Sequence, residues 1–105
     1  MNDILTFLGL IKKAGRLAIG DERTALAVSN AQAKVLILAS DASRNITKRA
    51  YALSDAGGIP IRTLPWDKGA LGSALGVKLC ALCAICDAGF AKKFAEKFAE
   101  IEKNG

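Results

Sequence analysis

The sequence predicts an α/β fold in which a sheet lies between layers of helices. Two continuous apolar runs, "KVLILAS" and "LCALCAIC", have the length of strands that are buried on both faces. Segments with apolar residues at helical spacing stand before, between and after these runs, so strands and helices alternate along the chain. Short connections between alternating strands and helices are typical of a sheet covered by helices.

The first part of the chain predicts a helix, a short strand and a second helix. Apolar residues recur at helical spacing in "DILTFLGLIKKAG", where Asn2 or Asp3 can cap the start and Gly15 marks the end. "RLAIG" predicts a short extended piece. The acids that open "DERTALAVSNAQ" predict a second helix whose N-terminus lies near residues 20–22.

The middle of the chain predicts strand, helix and strand. "KVLILAS" is the buried strand, and Asp41 or Ser43 then caps a third helix that ends at Gly57–Gly58. Its inner stripe comprises Ile46, Ala50 and Leu53. "IPIRTL" predicts a further strand, because Pro60 stands near its beginning, where a missing N–H is tolerated.

The last part of the chain predicts a short helix, a strand and a long amphipathic helix. "WDKGALGSALG" is capped by Asp67, and its glycines lower its helix propensity unless a neighbouring segment packs closely against them. In "DAGFAKKFAEKFAEIEK" one apolar stripe faces a charged side. The stripe is formed by Phe90, Phe94, Phe98 and Ile101. We interpret it as docking on the sheet rather than as a membrane-binding face.

Cys80, Cys83 and Cys86, at a spacing of three, raise the possibility of a metal or redox site. If residues 79–86 form one strand, Cys80 and Cys83 point to opposite faces. Cys80 and Cys86 then share a face but lie about 20 Å apart, too far to hold one ion. Asp87 is the better helix cap, so neither thiol of a redox pair begins a helix. We therefore expect core packing and no metal, with a thiol or metal protein as the alternative.

Composition and charge restrict the classes of function. The 105 residues predict a single domain over 1–105, and the net charge of +5 is concentrated in residues 1–52, with eight basic and four acidic residues. A basic excess suits a polyanion such as RNA, or simply a basic soluble protein. The chain has no histidine, no phosphate loop and no nucleophile elbow, so we expect neither an enzyme nor a cofactor.

Location is predicted from the same composition. No apolar run approaches the length of a membrane span, and no signal peptide is apparent. The odd number of cysteines indicates reduced thiols. We therefore expect a cytoplasmic protein without a membrane partner.

Several stretches, taken in order, resemble the ribosomal protein L7Ae superfamily, and within it the small bacterial L7Ae-like (L30e-related) branch. They are "LGLIKKAGRLAIG", "AKVLILASDAS", "IPI", "LGSALG" and "AICDAGFAKKF", and together they cover nearly the whole chain. The resemblance implies a three-layer α/β/α sandwich with a mixed four-stranded sheet. It also implies a bacterial RNA-binding protein, typically of kink-turns, with a ribosomal or ribonucleoprotein association.

The resemblance also implies which residues touch RNA, all at one end of the domain. The start of the second helix would meet tandem sheared G·A pairs, and the loop before the last strand would cover a flipped-out nucleotide. The positions that match are Gly20, Asp21, Glu22, Arg23, Thr24, Asp41, Ala42, Val77, Lys78, Leu79, Cys80 and Ala81.

Physical chemistry is consistent with these positions and also identifies departures. Gly20 permits close backbone approach, and Arg23 can contact phosphate or a guanine edge. However, Asp21 and Glu22 repel phosphate, and "GDER" also reads simply as a well-capped helix start. Relatives that bind kink-turns usually carry Asn-Glu or Lys-Gln at Glu22-Arg23, and a lysine at Leu26. The alternative function is therefore an adaptor of the same fold that binds protein and has lost kink-turn recognition.

Overall fold

A computed structural model describes residues 3–104 of the chain, with the side chain of Asn104 left out of the description. Nine elements follow one another in alternation. They are α1 (Asp3–Lys13), β1 (Leu17–Ile19), α2 (Asp21–Ser29), β2 (Val35–Leu38), α3 (Arg44–Gly57), β3 (Ile61–Thr63), α4 (Lys68–Leu75), β4 (Leu82–Ile85) and α5 (Ala88–Asn104). Each predicted helix and strand is present. The predicted capping role of Asn2 lies outside the described residues.

The four strands form one mixed sheet in the order β1-β4-β2-β3. β2 and β3 are parallel, whereas β4 runs antiparallel to both β1 and β2. In this register Leu38 pairs with both Leu82 and Thr63, while Ile19 pairs with Cys83. The ends of β1, β2 and β3 therefore lie beside the start of β4. We call this side of the sheet the entry end, and the opposite side, at Ile85, the exit end.

Helices cover both faces of the sheet, which confirms the three-layer α/β/α sandwich. Buried residues of α1, α4 and α5 form one apolar cluster with one face, around Leu8, Leu71 and Phe94. Residues of α2 and α3 form a second cluster on the other face, around Ala27 and Ala50. All four residues of β2 and all four of β4 are buried, as strands covered on both faces require.

Local signals place the helix boundaries where the sequence predicts them. Ser43 caps α3 and Asp67 caps α4, each accepting a hydrogen bond from a backbone N–H three residues later. Asp87 accepts one from the Phe90 N–H at 2.8 Å, at the start of α5. α3 and α4 are followed by the C-cap residues Gly58 and Gly76, both in the left-handed conformation that glycine adopts without strain.

The aromatic stripe of α5 docks on the protein core as predicted. Phe94 and Phe98 are buried and stack with ring centroids 5.9 Å apart. Phe90 meets Phe7 of α1 edge-to-face at 6.0 Å. Within residues 3–104, no helix has both the length and the apolar character to cross a membrane.

The cysteine prediction was wrong in one respect. β4 begins only at Leu82, so Cys80 precedes the strand and strand alternation does not apply to it. Cys80 and Cys83 therefore lie in the same apolar cluster, while Cys86 packs against the other one. A hydrogen bond between the first two thiols lowers the pKa of Cys80 and raises that of Cys83, which burial raises further. Among the described residues, no group of histidine, cysteine, aspartate and glutamate is arranged to hold a metal.

Replacement of Cys83 by alanine is expected to lower the free energy of unfolding by about 1 kcal/mol, because a small, fully buried side chain loses its contacts. Urea unfolding of both proteins measures the difference. Cys86→Ala is the matched control and should cost less, since Cys86 is only partly buried. About one zinc ion per chain, or the absorbance of an iron–sulfur cluster, in the purified wild-type protein would contradict the assignment to core packing.

Candidate functional site

The entry end of the sheet brings together the three segments that the resemblance singled out. The Gly20 N–H donates to the carbonyl of Leu82 at 2.9 Å, so the start of α2 lies against the start of β4. The Ala39 N–H donates to the carbonyl of Ala81 at 2.9 Å, which holds the segment after β2 beside the same loop. Residues 20–24, 41–42 and 77–81, distant in sequence, are therefore neighbours in space.

The first residue of α4 connects two of these segments. The backbone N–H of Lys68 donates to a carboxylate oxygen of Asp41 at 2.8 Å. The carbonyl of Lys68 accepts from the Cys80 N–H at 2.9 Å. Because the carboxylate of Asp41 accepts a hydrogen bond from the start of α4, it holds residues 41–42 beside that helix. Ala42 is partly buried against the α2/α3 cluster.

Gly20 shapes the start of α2. It is the N-cap residue with φ of 100°, a conformation that side-chain-bearing residues rarely adopt. The space around it is open, so the backbone angle and not crowding requires glycine. Glycine also supplies no capping oxygen, and no described side chain takes its place. The first N–H groups of α2 are thus free of side-chain acceptors, whereas Ser43 caps α3.

Helical geometry divides the residues that follow Gly20. Glu22 and Arg23 are exposed, whereas Thr24 is fully buried on the sheet-facing side of α2. The hydroxyl oxygen of Thr24 has no hydrogen-bond partner among the described residues. The side chain of Thr24 therefore cannot form part of the contact surface that the resemblance implied.

The negative charge at the start of α2 is partly compensated, which the sequence did not reveal. Arg49 of α3 forms an ion pair with the carboxylate of Asp21, and both side chains are partly exposed. An exposed pair of this kind stabilises the fold by no more than about 1 kcal/mol. Its larger consequence is local, because it places a guanidinium beside one of the two acids that oppose a phosphate. Only the packing of α2 against α3 brings Arg49 here, so no sequence pattern could have indicated it.

The loop between α4 and β4 presents some of its side chains and buries others. Leu79 is 56% exposed and Lys78 is exposed, while Val77 and Ala81 are partly covered. Cys80 is only 2% exposed and packs into the α1/α4/α5 cluster. The expectation that the side chain of Cys80 helps to cover a flipped-out nucleotide is therefore wrong, because this side chain points into the core.

The family profile described as the ribosomal protein L7Ae/L30e/S12e/Gadd45 family matches residues 2–95 of this chain. The chain belongs to this L7Ae family. Two curated proteins named RNA-binding protein YlxQ are similar to it. The Bacillus subtilis protein is 29% identical over 86 residues, covering 82% of this chain and 85% of that protein. The Enterococcus faecium protein is 33% identical over 92 residues, covering 88% and 87%.

Two solved structures superpose on most of this chain. A Bacillus halodurans protein of unknown function superposes with a TM-score of 0.85 at 31% identity, covering 92% of this chain and 97% of that one. The Giardia lamblia 15.5kD RNA binding protein superposes with a TM-score of 0.73 at 19% identity, covering 95% and 85%. The second match concerns the fold alone, since its sequence identity is low.

Proposed function

We propose that this L7Ae-family protein binds structured RNA in the cytoplasm, without catalysis, through the entry end of its sheet. We call the contact area the entry surface and define it by the backbone and exposed side chains of residues 20–23, 41–42 and 77–81. The observation that carries the proposal is the hydrogen bond between Gly20 and Leu82, which joins the uncapped start of α2 to the loop bearing Leu79. The names of the YlxQ relatives support it.

Each part of the entry surface has a separate task in this proposal. The free N–H groups at the start of α2 donate hydrogen bonds to a phosphate or to acceptor atoms of a base edge, assisted by the guanidinium of Arg23. The exposed Leu79 offers an apolar face for a base that is turned out of its helix. Thr24 and Cys80 hold these two parts in place from the inside.

We propose kink-turn-like or ribosomal RNA as the class of ligand. The direct test compares the affinity for a kink-turn RNA with that for a plain duplex of equal length. Recognition through the entry surface requires tighter binding of the kink-turn, because a plain duplex presents no unstacked base to Leu79. Equal, salt-sensitive binding of both RNAs would show that the protein is attracted to RNA only by non-specific electrostatics. Binding of neither would favour the protein-binding adaptor.

Replacement of Arg23 by alanine is expected to weaken RNA binding by about 1 to 3 kcal/mol, if the guanidinium makes a bidentate base contact. The melting temperature should hardly change, because Arg23 is exposed and makes no ion pair among the described residues. Fluorescence anisotropy with labelled RNA measures the effect. Lys93→Ala, on the exposed side of α5, removes the same charge and should leave affinity nearly unchanged. Equal losses in both variants would disprove a specific role for Arg23.

The triple substitution Glu22→Asn, Arg23→Glu and Leu26→Lys is expected to raise affinity for a standard kink-turn. Formal charge is unchanged, because the lost carboxylate and the new lysine offset the replacement of arginine by glutamate. Leu26 is 60% exposed, so a lysine fits there without disturbing the core. Any gain must come from placement of groups, and the salt dependence should stay similar. Weaker binding by the triple variant would instead identify Glu22 and Arg23 as the native recognition pair.

A further inference from the structure

A groove lies between the outer strand β1 and helix α2, beyond the entry surface. Its volume is about 450 Å³, and its walls include Leu17 and Ala18 of β1 and Leu26 and Ala27 of α2. β1 is an edge strand of the sheet, so the groove is open along the side of the domain. We call it the α2 groove.

Three cations line the α2 groove, namely Arg16, Arg23 and Lys34. None of the described residues that line it is acidic. All three cations are exposed, and within residues 3–104 none of them forms an ion pair. An unpaired cluster of this kind creates a positive potential in a concave surface, which concentrates anions.

The remaining groups in the groove do not oppose an anion. Burial raises the pKa of the Cys86 thiol above its ordinary value, so it stays neutral at physiological pH. The side-chain amide of Gln32 adds hydrogen-bond donors. Although α2 ends here, the carbonyls of Leu26, Ala27 and Val28 already accept backbone N–H groups at 2.8 to 3.1 Å. These hydrogen bonds partly neutralise the negative partial charge at the C-terminus of α2, which would otherwise repel an anion.

The groove extends the entry surface towards the exit end. The carbonyl of Arg16 accepts from the Cys86 N–H at 2.8 Å, and the Lys34 N–H donates to Ile85 at 2.8 Å, which places both cations at the exit end. Arg23 belongs to both the entry surface and the groove. From Gly20 to Arg16 the extended chain spans about 13 Å. One strand of a duplex carries one charge for about every 3.4 Å of the axis, so two or more phosphates of one strand fit this length.

We infer that the α2 groove binds the sugar-phosphate backbone of the same RNA where it leaves the entry surface, with Arg16 and Lys34 contacting phosphates. This inference rests on the proposed function and adds a second, sequence-independent contact to it. Such contacts position a nucleic acid and do not read its bases. The shared chemistry is phosphate, which a free nucleotide could also supply.

The test compares Arg16→Gln/Lys34→Gln with Lys92→Gln/Lys93→Gln, which removes two charges from exposed positions on α5. Dissociation constants for a kink-turn RNA and an equal-length duplex are measured over a range of salt concentrations. For Arg16→Gln/Lys34→Gln, we expect the plot of log association constant against log salt concentration to become shallower, with its slope reduced in magnitude by about two. Both RNAs should lose affinity equally. Lys92→Gln/Lys93→Gln should keep the wild-type slope. If Arg16→Gln/Lys34→Gln also kept it, the inference would be overturned.

Alkylation of Cys86 directly reports whether RNA occupies the α2 groove. Cys86 lines this groove and is partly exposed, whereas Cys80 and Cys83 are buried. Saturating RNA should slow the modification of Cys86 by iodoacetamide, followed by mass spectrometry. Protection by millimolar AMP but not by RNA would assign the groove to a free nucleotide and overturn the inference. RNA binding that depends on Arg23 without protection of Cys86 would refute the inference alone. A wild-type protein that binds no RNA would refute both the inference and the proposed function.

Discussion

Replacement of Gly72 by alanine is expected to lower the free energy of unfolding by about 2 to 3 kcal/mol and to weaken RNA binding about tenfold. A Cβ atom at this position would lie 2.7 Å from the carbonyl oxygen of Lys78 and 2.8 Å from the Cα of Leu79. These are backbone atoms of the loop that carries the exposed part of the entry surface. They cannot rotate away, so the loop itself must move.

The gain in helix propensity from alanine at position 72 is smaller than the cost of the steric clash. Alanine favours a helix over glycine by about 1 kcal/mol, which offsets only part of the cost of overpacking. The Val77 N–H also donates to the Gly72 carbonyl at 2.9 Å, so the loop is tied to the residue that would displace it. Thermal unfolding and RNA titration of the same protein sample measure both effects.

Gly69→Ala is the matched control in the same helix. The nearest atom to a Cβ there, outside the backbone of α4, is a carboxylate oxygen of Asp67 at 3.4 Å, an ordinary contact. We therefore expect unchanged or slightly greater stability and unchanged affinity. If Gly72→Ala proved as stable as Gly69→Ala, the close approach of the loop to α4 would be refuted.

Replacement of Phe94 by alanine should have the largest effect on stability, about 3 to 5 kcal/mol. Phe94 is 1% exposed, stacks on Phe98 and belongs to the cluster that joins α5 to the sheet. Domains are stable by only about 5 to 15 kcal/mol, so this loss shifts the midpoint of urea unfolding strongly. RNA affinity, measured at a temperature where the variant is folded, should not change, because Phe94 is not part of the entry surface.

The conservative variant Phe94→Leu separates volume from aromatic character. It retains most of the buried volume, so a loss of about 1.5 kcal/mol or less is expected. Gly72→Ala and Phe94→Ala together test whether stability and binding are separable. Loss of RNA affinity in folded Phe94→Ala would place part of the binding surface on α5 and contradict the proposed site.

The cysteines show which structural features a local sequence pattern predicts and which it does not. The apolar character of residues 79–86 correctly predicted the buried strand Leu82–Ile85, and the packing of Cys80 and Cys83 in the core agrees with it, although Leu79 is exposed. Alternation along a strand predicted Cys80 and Cys83 on opposite faces, but the strand is limited to Leu82–Ile85. The hydrogen bond from Cys80 N–H to Lys68 at the start of α4 draws the preceding loop out of the strand. That partner lies twelve residues away, where no local pattern could indicate it.

The sequence by itself determined the elements, their order and most of their boundaries, because hydrophobic period, caps and glycine ends are local properties. The Phe stripe of α5 and the caps Ser43, Asp67 and Asp87 are examples. Only the tertiary structure decided which residues share a surface. Strands β4 and β2 are neighbours although α3, β3 and α4 separate them in the chain, so contacts at the entry end depend on the sheet order. For the same reason the pairing of Arg49 with Asp21 and the inward turn of Thr24 and Cys80 emerged only from the packed fold.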